Sequence, residues 1–201
     1  MQVTLIDYTP LTTLVLSTRI CHASQDKSDD LGAKDQSLLK RVILQSQHTS
    51  LLEFINYTFL VENVCGSTLL QLTRHRHASY DWHDMGLAVQ SSRHTLKRTG
   101  IDVTYSRNKW VNTVIFIEKM LVQLLIWLKI PNDDVKLALP QAYRYNLYMT
   151  INARSLSNLL SLRLAKSAHY DIQVLARLIL DSVPEDHQFL FKSCGDRREI
   201  V

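Results

Sequence analysis

Residues 143–163 read YRYNLYMTINARSLSNLLSLR and predict a strand that leads directly into a helix. At the start of this stretch, aromatic and aliphatic side chains occupy every second position, which is typical of a half-buried strand. Further on, Leu156, Leu159 and Leu160 have the spacing of one face of a helix. The stretch therefore combines the two hydrophobic periods that are expected of a protein with both strands and helices.

The same two patterns recur along the chain. Residues 1–9 and 55–64 alternate as strands do. Other apolar segments have helical spacing, with Pro10 in a first turn and Asp35 as the candidate N-cap of another helix. The predicted helices are residues 9–23, 35–47, 66–79, 113–130, 133–139, 152–167 and 167–183. We predict one α+β domain over residues 1–201, in which helices flank a small antiparallel or mixed sheet.

The composition excludes several classes of protein. Hydrophobic residues make up 46% and charged residues 21% of the 201 residues, a balance typical of a folded globular protein rather than a disordered or collagen-like one. The 5 glycines are too far apart to form a Rossmann G-x-G-x-x-G loop or a P-loop. The net charge of +4 fits an anionic ligand or nucleic acid, but many proteins that bind neither have a similar charge.

Cysteine usage and hydropathy predict a cytoplasmic protein that does not cross a membrane. The 3 cysteines are far apart and form no C-x-x-C motif, which disfavours disulfides and zinc ribbons. The N-terminal segment lacks a basic region and contains Asp7, so it makes a poor signal peptide. The longest apolar stretch, residues 114–130, contains Glu118, Lys119 and Lys129, whereas a membrane span needs about 20 nearly uncharged residues. We therefore predict a buried or interface helix there.

Arginines occupy positions where helical spacing would place leucines. Arg163 follows Leu160 on the apolar face of its helix, and Arg74 and Arg76 extend the apolar face of an earlier helix. Residues 91–98, SSRHTLKR, add hydroxyls and a further guanidinium. Because an unpaired charge on a buried face is costly, each arginine needs a partner. The simplest interpretation is a pocket for a phosphorylated, planar, partly apolar ligand.

Other interpretations of these residues stay open at this point. An arginine on a leucine face often extends to solvent or forms an internal salt bridge. Ser91 lacks the G-x-S-x-G context of a nucleophile. We predict no metal site, because the nearby candidate ligands match no common metal-binding spacing. Those candidates are His75, His77, His83 and Asp84.

Several segments taken together resemble the flavin-dependent thymidylate synthases (ThyX). They are RHRHAS (74–79), SSRHTL (91–96) and NARSLSNLLSLR (152–163), and QHTSLLEF (47–54) also looks like the family's H-x-[ST]-x-x-E-H segment. The resemblance implies a ThyX-like fold and a homotetramer whose sites form between subunits. It also implies that dUMP is methylated at C5 to give dTMP. FAD would be the cofactor, and NADPH and 5,10-methylenetetrahydrofolate would be co-substrates.

The resemblance also implies roles for individual residues. The residues at FAD-binding positions are His48, Ser50, Arg74, His75, Arg76, Asn152, Arg154 and Asn158. The residues at dUMP-binding positions are Gln71, Arg74, Ser91, Ser92, Arg93, Lys136 and Arg163. Lys136 stands where the family has an arginine. Arg163 is the implied catalytic residue: it would face the uracil and stabilise an ionised N3, which activates C5 as a nucleophile.

The sequence departs from the family pattern between the RHR motif and the following serine. The connecting segment is longer here, and the extra stretch is most simply YDWHDMG (80–86), which we expect to form a turn or flap that bulges outward. One alternative function is therefore a homologue that binds flavin or nucleotide without turnover. The other is a basic helical protein that binds nucleic acid through the same arginines, which would then line one exposed face. We favour the active enzyme, with no nucleic-acid partner.

Overall fold

The computed structural model describes residues 1–74 and 85–195. Its strands are β1 (Gln2–Tyr8), β2 (Asn56–Cys65), β3 (Met85–Val89) and β4 (Arg144–Asn152). They form one sheet in the order β1–β2–β4–β3. Strands β2 and β4 are antiparallel, because Thr58 lies 3.0 Å from Thr150 through their hydroxyls while Ile55 accepts a 2.7 Å hydrogen bond from Ala153. The predicted small sheet is confirmed.

The helices connect these strands and follow the last of them. They are α1 (Leu11–Cys21), α2 (Ala33–Leu39), α3 (Gly66–Thr73), α4 (Ser92–Thr99), α5 (Lys109–Trp127), α6 (Asn132–Val135), α7 (Ala153–Arg163), α8 (Tyr170–Ser182) and α9 (Lys192–Gly195). Two of the longer helices begin at asparagine caps. The side chains of Asn108 and Asn152 accept hydrogen bonds from the first turns of α5 and α7. Short 3₁₀-helical segments cover residues 25–27, 49–54, 136–138 and 185–191, and a π-helical segment, residues 40–45, follows α2 directly.

The described residues divide into two compact units. The first unit contains residues 1–2, 61–74 and 88–147, and the second contains residues 3–60, 85–87 and 148–195. Each unit therefore includes part of β2 and part of β4. The single domain over residues 1–201 stays a prediction.

The first unit has a small apolar core that joins α4, α5 and α6. Its buried members are Leu96, Ile101, Val103, Ile115, Val122, Val135 and Tyr143. Val103 pairs with Tyr143 in an antiparallel bridge, and the Tyr143 ring packs edge-on against Tyr145 at a centroid distance of 4.9 Å. Burial raises the pKa of both tyrosines. This core fixes the helices that carry the predicted phosphate-binding residues.

The second unit is built on the two alternating patterns that the sequence shows. Tyr57 and Phe59 of β2, and Met149 and Ile151 of β4, are buried, as alternation predicts. Because α7 follows β4 without a loop, its leucine face is directed into the same core. Further buried members are Leu156, Leu159, Leu160, Ile172, Leu175 and Ile179.

A buried ion pair fixes the loop between α1 and α2 in the second unit. Arg19 and Asp35 are only 5% and 0% exposed, and the Arg19 Nε donates to Asp35 Oδ1 at 2.7 Å. The Ser28 hydroxyl and the backbone N–H groups of Asp29 and Leu31 donate to the other carboxylate oxygen at 2.7, 3.1 and 3.2 Å. Burial would raise the pKa of Asp35, but these hydrogen bonds outweigh it and lower the pKa to about 2.

Two local predictions are wrong. Asp35 is not an N-cap, because Gly32 occupies that position and Asp35 lies within the first turn of α2. Met85 and Gly86, predicted as part of a turn or flap, begin strand β3. That strand has only 5 residues and little alternation, so the sequence carries almost no signal for it. Residues 80–84 of the predicted flap lie outside the described residues.

Helix α5 is not the buried helix that its apolar composition predicts. Only 11% of the most apolar 18-residue stretch of this helix is buried. Among residues 1–74 and 85–195, it is the one helix that is long and apolar enough to cross a membrane. Trp110 and Trp127 are 71% and 74% exposed. Apolar residues surround the helix, so the core of one chain can bury only Ile115 and Val122. The alternative prediction of an interface helix stays a prediction.

Candidate functional site

The residues predicted to hold a phosphate lie at the start of α4, in the first unit. Ser91 has the extended backbone of an N-cap residue, and Ser92 and Arg93 begin the helix. Ser91 and Arg93 are exposed, and Ser92 is half-buried. The first turn of this helix therefore offers hydroxyls, backbone N–H groups and a guanidinium, a set of donors that suits an anion.

Helix α6 and the turn after it bring Lys136 to the same place. Arg93 Nε lies 3.2 Å from Oδ2 of Asp133, and Lys136 Nζ donates a 3.1 Å hydrogen bond to Oδ1 of the same carboxylate. The side-chain amide of Asn132 donates a 2.7 Å hydrogen bond to the backbone oxygen of Arg93. Arg93, Asp133 and Lys136 form what we call the Asp133 cluster. The structure thus brings two predicted site cations together on one carboxylate.

Gln71 and Arg74, two other predicted dUMP-binding residues, lie at the C-terminal end of α3 in the first unit. Gln71 is half-buried and Arg74 is exposed. The backbone N–H of Gly66 fixes the start of the helix by a 3.0 Å hydrogen bond to the segment that precedes β4. His75 and Arg76, the rest of the RHR motif, lie outside the described residues.

In the second unit, the N-terminal end of α7 carries two of the predicted FAD-binding residues. The Asn152 side chain accepts a 2.8 Å hydrogen bond from the Ser155 N–H and thereby caps the helix. Arg154, in the first turn, is exposed and forms an ion pair with Glu53. Because Glu53 belongs to residues 49–54, this pair joins that segment to the start of α7.

The other predicted residues of the second unit lie on the same two elements. Ser50 and His48 are exposed in and next to the 49–54 turn, and Asn158 is half-buried one helical turn after Arg154. Arg163 is half-buried in the last turn of α7, about 14 Å along the helix axis from Arg154 at 1.5 Å per residue. One helix therefore presents a polar first turn and an arginine at its far end.

Two acidic residues of these groups were not among the predicted site residues. Asp133 lies three residues before Lys136 in a helical segment, and this spacing favours an ion pair, so a signal was available. Glu53 lies 101 residues from Arg154 in the sequence, so no local pattern could identify this partner. Each of these carboxylates forms an ion pair with a cationic side chain that the resemblance assigns to ligand binding.

Comparison with known proteins identifies the family. A family profile described as "Thymidylate synthase complementing protein" matches residues 4–187. The chain belongs to this family. The flavin-dependent thymidylate synthase of Campylobacter jejuni (strain RM1221) is 35% identical over 208 residues, covering 96% of this chain and 97% of that protein. The one from Wolinella succinogenes is 36% identical over 205 residues, covering 95% and 97%.

A solved structure extends the comparison to the fold. The crystal structure of ThyX from Helicobacter pylori with FAD and dUMP has 33% sequence identity and a TM-score of 0.87, covering 96% of this chain and 99% of that one. The predicted family resemblance and the ThyX-like fold are therefore confirmed. With its family, the chain belongs to the flavin-dependent thymidylate synthases, which are methyltransferases.

Proposed function

We propose that this chain converts dUMP to dTMP. In this proposal, 5,10-methylenetetrahydrofolate is the carbon donor, and NADPH reduces the bound FAD. The main support is that the family's motif positions place polar, mostly exposed hydrogen-bond donors at the starts of α4 and α7. The chain is also 33% identical to a ThyX that was crystallised with FAD and dUMP. We further propose that residues 1–201 act as one functional domain.

The residues at the start of α7 fit FAD. An exposed arginine in a first helical turn suits a pyrophosphate, because the N–H groups and the helix dipole favour negative charge there. His48, Ser50 and Asn158 add donors and acceptors that suit the polar edges of the flavin and its ribityl chain. Arg74, His75, Arg76 and Asn152 complete the proposed FAD-binding set. When bound, FAD supplies the hydride for the reduction.

The residues at the start of α4 would hold the phosphate of dUMP. Ser91 and Ser92 donate from hydroxyl and backbone groups, and the Arg93 guanidinium can bind two phosphate oxygens at once. Lys136 adds a point charge in place of the family arginine and lacks that fork. Gln71 and Arg74 would bind elsewhere on the nucleotide. Their positions near the end of α3 leave both side chains at least partly accessible.

Arg163 is the proposed catalytic residue. Its helix buries Leu156, Leu159 and Leu160, so the guanidinium lies at the edge of an apolar core where electrostatic interactions are strong. There it would stabilise negative charge on N3 of the uracil, which raises the electron density at C5 and allows C5 to attack the one-carbon unit. This role requires no cysteine nucleophile, and Cys65 and Cys194 are buried.

We propose a homotetramer in which α5 packs against other copies of the chain. Many large apolar residues of this helix are exposed, including Trp110, Leu121 and Trp127, and exposed apolar surface of this kind is typical of interaction sites. A membrane is a poorer partner for this helix, because Glu118 and Lys119 lie in its middle, where burying charged side chains in a bilayer costs free energy. We accordingly propose a cytoplasmic enzyme with no membrane or nucleic-acid partner. Light scattering should give a mass of four chains, and flotation with vesicles should recover none.

Release of tritium from dUMP labelled at C5, dependent on NADPH and methylenetetrahydrofolate, tests the activity. The purified protein should be yellow. Arg163→Ala should keep its flavin and its fold but lose at least about 100-fold in turnover, the scale expected when a group that stabilises developing charge is removed. Arg177→Ala, which removes an exposed arginine on α8, is the matched control and should retain activity.

Two outcomes would contradict the proposal in different ways. Full turnover of Arg163→Ala would remove the catalytic role of that residue but leave the reaction intact. A colourless wild-type protein with no response to dUMP would favour a homologue without turnover or a nucleic-acid-binding protein.

A further inference from the structure

A carboxylate occupies the place where the proposed function puts a phosphate. In the Asp133 cluster, both oxygens of Asp133 are engaged: Oδ2 with Arg93 Nε at 3.2 Å, and Oδ1 with Lys136 Nζ at 3.1 Å. The three side chains are 48%, 61% and 41% exposed, respectively. The cluster is therefore open to solvent and to a ligand.

We propose that Asp133 is an internal counter-ion that occupies Arg93 and Lys136 until the phosphate of the nucleotide displaces it. The inference rests on the proposed function, which assigns both cations to the phosphate of dUMP. Asp133 is then a residue that sets affinity and specificity, and it does not take part in the chemistry.

Charge and exposure make the displacement favourable. Ion pairs between exposed side chains are weak, because water competes for both partners. A phosphate monoester has a charge between about −1.5 and −2 near pH 7 and three oxygens, whereas the Asp133 carboxylate has one charge and two oxygens. The ligand can therefore replace the carboxylate at both cations, while a singly charged anion gains little over it.

The surrounding structure allows this exchange without rearranging the helices. The hydrogen bond from Asn132 to the backbone oxygen of Arg93 ties α6 to the first turn of α4 independently of the carboxylate. Val135 of α6 and Leu96 of α4 are both fully buried in the core of the first unit. Release of Asp133 therefore requires only a change of side-chain rotamer.

The consequence is that Asp133 weakens binding of the phosphate and makes it selective. With Asp133 the cluster has a net charge of +1, and without it the charge is +2. Removing the carboxylate should strengthen binding of any ligand through its phosphate. A ligand that lacks the phosphate should bind as before.

Equilibrium binding of dUMP and of 2′-deoxyuridine to the full-length, flavin-loaded protein tests the inference. Asp133→Asn should bind dUMP about three- to tenfold more tightly than wild type, with no change for 2′-deoxyuridine. Asp134→Asn is the matched control: it removes the same charge from the neighbouring exposed position on α6 and should leave dUMP binding unchanged. Asp133→Glu, which keeps the charge, should restore the wild-type affinity.

The possible results separate this inference from the proposed function. Unchanged or weaker dUMP binding by Asp133→Asn would overturn the inference, and so would an equal gain for Asp134→Asn or for 2′-deoxyuridine. An Arg93→Met variant completes the set. If it binds dUMP as wild type does, the assignment of the cluster to the phosphate is wrong; if it binds dUMP weakly while Asp133→Asn is unchanged, only the role of Asp133 is wrong.

Discussion

Two of the arginine–aspartate pairs among the described residues, Arg19–Asp35 and Arg93–Asp133, have opposite surroundings. Arg19 and Asp35 are almost completely buried, and Asp35 accepts hydrogen bonds from three further donors. Arg93 and Asp133 are 61% and 48% exposed, and a lysine shares the carboxylate. The same two residue types thus form a fixed, buried ion pair in one region and an exposed, exchangeable ion pair in the other.

The difference follows from the cost of removing charge from water. A buried carboxylate that loses its partner cannot be rehydrated, so the partners stay together as long as the chain is folded. An exposed carboxylate exchanges its partner for water or for a ligand at little cost. Burial therefore separates an arginine that supports the fold from one that can bind a substrate.

The largest expected effect tests the buried pair. Arg19→Met should lower the free energy of unfolding by about 3–5 kcal/mol, because it leaves Asp35 charged, buried and without its cation. Urea denaturation followed by circular dichroism measures this difference. A loss below about 1 kcal/mol would show that the hydrogen bonds from Ser28 and the loop backbone satisfy Asp35 without the arginine.

A smaller effect is expected from acid. The pKa of Asp35 is about 2 in the folded chain against an ordinary value of 3.8. Since the folded value is depressed, the ionised carboxylate stabilises the fold fully above about pH 4, and this contribution disappears as the pH falls from 3.8 towards 2. The difference in unfolding free energy between wild type and Asp35→Asn should therefore be constant from pH 7 to pH 5 and should decrease between pH 4 and pH 2. A difference that does not change across that range would contradict the role of Asp35.

The smallest effect is expected from the exposed pair. Arg93→Met should change the free energy of unfolding by no more than about 1 kcal/mol, and sodium chloride should reduce even that, because solvent and salt screen exposed charges. The same denaturation measurement, made at low and high salt, checks this. A loss comparable to that of Arg19→Met would mean that Arg93 supports the fold and would remove the contrast between the two pairs.

Much of the fold could be predicted from hydrophobic periods. The alternation in β2 and β4 and the leucine face of α7 appear in the structure as predicted, because burial of a period-2 or period-3.6 face depends mainly on local sequence. Strand β3 could not be predicted in this way, since its 5 residues pair with β4 through the backbone and need no hydrophobic pattern.

The residues of the candidate site also differ in whether local sequence could identify them. Arg93, Arg154 and Arg163 could be named because their motifs are contiguous. Their acidic neighbours could not all be named: Glu53 reaches Arg154 across 101 residues, and only the folded chain brings them together.

The sequence alone determined the family, the main strands and helices, and the residue types available to bind anions. These properties depend on motifs and hydrophobic periods that lie within short segments of the sequence. The tertiary structure decided which arginine is buried and which is exposed, and which carboxylate each one contacts. Solvation of a charge depends on every segment packed around it, and for Arg19 and Arg93 those segments come from different parts of the chain.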